Sequence, residues 1–118
     1  MPSTAFVFAM LLALGTSTGS TAWAQSYPSK PVNVISAFPP TTLDFLIRLV
    51  DGPFQATFKQ PLSIENRPGA GGNIAAEAVA KSVPDGYTLL VTTDTVVTSN
   101  PSMYQKLKFK ADAELVPV

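Results

Sequence analysis

The run Glu65-Asn66-Arg67-Pro68-Gly69-Ala70-Gly71-Gly72-Asn73-Ile74-Ala75-Ala76-Glu77 holds the residue types best able to grip a ligand. Three glycines just ahead of a helix permit a sharp turn and let backbone amides approach a bound group closely. A helix start also carries unpaired N–H groups and a partial positive charge, which suits an anion. Gly71, Gly72 and Asn73 are therefore candidate ligand-binding residues. The plainer alternative is that the glycines only turn a strand into a helix.

Composition narrows the remaining chemistry. The 118 residues include no cysteine and no histidine. That removes thiol chemistry, disulfides, the commonest general base and the commonest metal ligand. The carboxylates Asp44, Glu65, Glu77, Asp85 and Asp94 contain no pair whose spacing argues for acid–base catalysis. No catalytic residue, metal ligand or cofactor is assigned. Eight basic residues balance eight acidic ones, and no Lys/Arg stretch suggests a nucleic-acid face. Arg67 is read as pairing locally with Glu65 or a helix end, the alternative being a cation for an acidic ligand. Glu77 and Lys81, four residues apart, read as an exposed helical ion pair. Lys106, Lys108 and Lys110 alternate as on the solvated face of a strand.

The elements that must position these residues follow from hydrophobic spacing. Val32 to Ala37 is a β-branched run that reads as a buried strand, stopped by Phe38-Pro39-Pro40. Thr41, Thr42 or Asp44 can cap the helix that follows. Leu43, Ile47, Val50, Phe54 and Phe58 recur at helical spacing, and Gly52-Pro53 is expected to kink or split that helix. Pro61 to Glu65 reads as a second strand. A helix over about Asn73 to Ser82 is expected to bury Ile74, Ala78 and Val79. Pro84-Asp85-Gly86 leads into a third strand, Tyr87 to Thr92, with Tyr87 and Phe38 as packing residues. Beyond Thr92 the pattern weakens, with one helical turn near Pro101 to Tyr104. The order β-α-β-α-β predicts an α/β fold with parallel strands joined by right-handed crossovers. Ligands in such sheets bind outside the carboxyl ends of the strands. Three loops qualify: Pro39 to Asp44, Arg67 to Asn73, and Thr92 to Thr98.

The spelling of these segments resembles the TctC or Bug family, the extracytoplasmic solute receptors of tripartite tricarboxylate transporters. The resemblance rests on Glu65-Asn66-Arg67-Pro68-Gly69-Ala70-Gly71-Gly72-Asn73 and on Pro84-Asp85-Gly86-Tyr87-Thr88-Leu89. Tyr27-Pro28, Phe38-Pro39-Pro40, Asn100-Pro101-Ser102-Met103-Tyr104 and Val116-Pro117-Val118 extend it. It implies one lobe of a type II periplasmic-binding-protein-like fold, with the second lobe absent. It also implies that the first and third loops line a cleft where amides, hydroxyls and water grip a carboxylate. Asp44 matches the family's acidic residue at the first helix, and Thr92, Thr93 and Thr95 match its hydroxyl-rich loop. Thr41 and Thr42 stand where the family usually has a pair of glycines. Asp94 stands where it tends to have something small and neutral. Threonine disfavours the positive φ angles that glycine permits.

Residues 1–24 read as a secretory signal, with an apolar run from Ala5 to Leu14 and an Ala22-Trp23-Ala24 cleavage pattern. No Lys or Arg precedes the apolar run. Residues 25–118 are expected to form the amino-terminal part of the first lobe. The function expected is a periplasmic receptor, not an enzyme, that captures a small carboxylate for the membrane subunits of a tripartite transporter. Two alternatives stand beside it. One is an exported α/β enzyme domain using the glycine loop for phosphate, although Gly69-Ala70-Gly71-Gly72 is neither G-x-G-x-x-G nor a Walker loop. The other is a truncated gene product without activity.

Overall fold

The computed structural model describes residues 26–40 and 42–118. The expected secretory signal and Thr41 lie outside the described residues, as does the side chain of Thr42. Three strands, β1 (Val32–Ser36), β2 (Leu62–Asn66) and β3 (Thr88–Val91), form a parallel sheet in the order β2-β1-β3. Val34 stands opposite Ile64 on one side and Leu89 on the other. Val32, Val34 and Ile35 are buried, as a central strand covered on both faces requires. The expected β-α-β-α-β order is present.

Helix α1 (Thr42–Phe58) connects β1 to β2, and α2 (Asn73–Ala80) connects β2 to β3. Of the expected kink or split at Gly52-Pro53, the split does not occur; Pro53 lies inside a continuous helix. Pro53 cannot donate to the carbonyl of Leu49, but Leu49 is on the exposed side of α1, where water can serve that carbonyl. The helix ends at Lys59, whose φ of 59° is left-handed. The Lys59 amide donates to Gln55 and its ammonium to Ala56, satisfying two terminal carbonyls. Ile47 is buried, whereas Val50 is exposed together with Phe45, Leu46 and Leu49. The inward stripe is completed by Asp51, whose carboxylate accepts from the Leu62 amide at 2.8 Å and ties α1 to the start of β2.

The core lies where α2 and the carboxyl-terminal segment meet the sheet. Ile35, Ala37 and Ala75 form one cluster, and Ala76, Val96, Phe109 and Ala111 another, with Leu90 packed against both. Ala78 and Val79 pack partly buried against the core as expected, but Ile74 faces solvent and the fully buried positions are Ala75 and Ala76. Alanine brings the helix close to the sheet, and Ile74 instead covers Gly69 from outside. Beyond β3 come three single turns of helix, α3 (Thr95–Thr98), α4 (Asn100–Met103) and α5 (Ala111–Glu114). Residues 106–110 are not a strand. They still alternate, with the lysines exposed and Phe109 buried, because Phe109 packs on α2 without any strand partner.

Candidate functional site

The order β2-β1-β3 makes the chain step to one side of β1 and then to the other. The loops after β1 and β3 therefore diverge, leaving a crevice at the carboxyl ends of the strands. A shallow cleft of about 290 Å³ lies there. Its lining comes from all three qualifying loops and from the two residues before the first: Ala37 and Phe38, then Pro39 after β1; Pro68, Gly69, Gly71 and Gly72 after β2; Thr92, Thr93 and Thr95 after β3. None of these side chains carries a charge.

The glycine wall is shaped by packing as much as by access. Gly69, Gly71 and Gly72 have φ angles of 127°, 62° and 90°, a region that costs residues with a β-carbon. A β-carbon on Gly72 would meet Val96, Thr92 and Ala37, and one on Gly71 would meet Tyr104 and Asn100. These glycines thus line the cleft and let the loop close on α3 and α4. Asn73 starts α2 but is buried beneath the wall, its Oδ1 accepting from Asn100 at 2.7 Å.

The opposite wall supplies hydroxyls. The Thr92 hydroxyl is buried without a protein hydrogen-bond partner. Thr93 and Thr95 share one hydrogen bond of 2.6 Å, which leaves one of their two O–H groups free to donate outward. A carboxylate only accepts, so these donors suit it. Asp94, between them in sequence, has an exposed side chain that is not part of the lining.

Asp44 is not part of the cleft lining. It sits in the first turn of α1, nearly buried, and accepts from Arg48 Nε at 2.7 Å and Asn66 Nδ2 at 3.3 Å. The Arg48 bond, with help from Asn66, holds its carboxyl below the ordinary value despite the opposing effect of burial. Asn66 also donates to the Phe38 carbonyl at 3.1 Å, bracing the loop after β1. Arg67 pairs with Glu65 at 2.7 Å, and Glu77 pairs with Lys81, as expected for both.

Sequence reasoning missed the parts played by Ala37, Phe38, Pro39, Pro68, Gly69 and Asn100; Phe38 was expected only to pack. Pro68 and Gly69 were legible from their place just after β2, in a loop already singled out. Asn100 carried no local signal. A second hollow, of about 460 Å³, lies near the amino ends of the strands. Its charged groups are already engaged: Lys30 pairs with Asp85 at 3.4 Å and lies 4.3 Å over the Tyr87 ring. The Tyr27 and Tyr87 rings pack with centroids 4.9 Å apart and planes tilted by 59°, closing the amino-terminal segment onto the turn before β3.

Residues 46–118 match the family model described as the tripartite tricarboxylate transporter family receptor. BugT of Bordetella pertussis is 37% identical over 97 residues, covering 80% of this chain and 30% of BugT. A solved periplasmic transporter is 38% identical with a TM-score of 0.64, over 71% of this chain and 29% of its own. MatC from Rhodopseudomonas palustris, solved with bound malate, is 33% identical with a TM-score of 0.68, over 78% and 32%. The chain thus spans about three-tenths of the length of these relatives.

Proposed function

Since the chain belongs to the tripartite tricarboxylate transporter receptor family, we propose that it is part of a periplasmic receptor that captures a small carboxylate. In that reading the whole receptor delivers the carboxylate to the transporter's membrane subunits, and no covalent chemistry is involved. The observation that carries the reading is the uncharged cleft, walled by the glycine loop on one side and by the exposed Thr93–Thr95 hydroxyl pair on the other. Ligand grip then comes from hydroxyls and amides rather than from a basic side chain. The malate bound to MatC supports the ligand class. The secretory pattern of residues 1–24 and the periplasmic relative support the location.

The glycine loop gives little support to a phosphate-using enzyme. Gly69-Ala70-Gly71-Gly72 matches neither phosphate-binding pattern, and the family is one of receptors. Calorimetric titration with malate and adipate, with ATP and NAD as controls, tests the reading. Saturable but weak carboxylate binding is expected of residues 1–118, with Kd on the order of millimolar, because a stretch three-tenths the length of its relatives makes few contacts. Saturable ATP or NAD binding with none for either carboxylate would overturn it.

A further inference from the structure

Asn100 begins α4, is only 5% exposed, and is not part of the cleft lining. Its carboxamide nitrogen donates to the Gly71 carbonyl at 2.9 Å and to Asn73 Oδ1 at 2.7 Å. A backbone carbonyl only accepts, so the Gly71 bond dictates which end of the Asn100 amide is nitrogen. Asn73 must then present its oxygen. Gly71 belongs to the glycine wall. Thr95, in the helical turn just before Asn100, belongs to the hydroxyl wall. Gly71 is wedged as well as bonded, since a β-carbon there would lie 3.0 Å from the Tyr104 hydroxyl and 3.5 Å from the Asn100 nitrogen.

We infer that Asn100 is a positioning residue, whose carboxamide sets the separation of the glycine wall from the hydroxyl wall without touching the ligand. The inference rests on the carboxylate reading and extends it to a residue outside the cleft. A buried side chain that spends both N–H bonds on one loop holds that loop in a single place. Bound groups need their walls held to within about half an ångström.

Asn100→Asp tests this in the full chain. The substitution keeps the shape but turns a carboxylate toward two oxygen acceptors. Burial and those acceptors favour its neutral form, and a protonated Asp regains one O–H donor. Malate affinity is read by NMR titration at pH 7.5 and 5.0, as the ratio of variant to wild type, so that malate's own ionisation cancels. At pH 7.5 the variant is expected to bind roughly tenfold more weakly, and most of that gap closes at pH 5.0. An equal affinity at pH 7.5, or a loss in the folded variant that acidification leaves in place, overturns the inference.

Two ligand-free readouts separate the outcomes. In wild type the Asn100 side-chain N–H protons are expected to exchange slowly with water; fast exchange overturns the clamp even if the variant does not fold. Absence of any saturable malate response in wild type would remove the carboxylate reading instead. The amide shifts of Gly71, Thr93 and Thr95 in ligand-free Asn100→Asp would then still decide whether the clamp joins the two walls.

Discussion

A β-carbon placed on Gly72 would lie 2.8 Å from Cγ2 of Val96, so this glycine is where the loop after β2 closes on the helix after β3. Its φ of 90° independently excludes most other residues. Gly72→Ala is expected to destabilise the fold by about 2–4 kcal/mol, combining overpacking with left-handed strain. Val96→Ala in the same chain relieves the overpacking but not the strain. Urea unfolding of both single variants and the double should show coupling of at least about 1 kcal/mol. Simple additivity would mean that the two residues do not press on each other.

Thr92→Val keeps the shape of the side chain and removes a hydroxyl that has no protein partner. Thermal stability should stay level or rise slightly, since a buried polar group is replaced by a methyl. Malate affinity should fall roughly tenfold if that hydroxyl donates to the ligand. Unchanged affinity would remove Thr92 from the site.

Arg67→Ala removes a cation already paired with Glu65 on the surface. Exposed pairs of this kind contribute little, so both the melting temperature and malate affinity should stay close to wild type. A large loss of affinity would show that the guanidinium leaves Glu65 to hold the ligand.

Asp44 links acid stability to the loop beside the cleft. The Arg48 bond, followed by that from Asn66, lowers its carboxyl below the ordinary 3.8 in the folded chain. The unfolded chain therefore takes up the proton first. The contribution is fully present above that ordinary value and is lost as pH falls through the lower folded value. The urea midpoint of wild type should drop below about pH 4, and less steeply in Asp44→Asn. Identical pH profiles would show that Asp44 contributes nothing to acid stability.

Phe109→Ala tests the least legible part of the core. The ring is 6% exposed against Ala76, Val96 and Ala111, and truncating such a ring costs about 3–5 kcal/mol. In a domain this small that is expected to abolish the cooperative melt and expose α2 to protease. A variant that still melts sharply near the wild-type temperature would show that the carboxyl-terminal segment is not part of the core.

What could be read without coordinates was local or literal. Apolar spacing located α1, α2 and all three strands, and their order implied parallel pairing. The carboxyl-end rule then picked the three loops that line the cleft. The family came from the wording of residues 65–73 and 84–89, a string too long to arise from turn chemistry. Tertiary contact decided the rest, because periodicity describes one segment and not what approaches it. Gly72 lets α3 come close, so α2 turns Ala75 and Ala76 inward and leaves Ile74 outside. The exposed side of α1 lets Pro53 sit in an unbroken helix. Phe109 enters the core from an irregular segment that no period marks. Asn100 reaches Gly71 across 29 positions in sequence, a link set by how α3 and α4 fold back over the glycine loop.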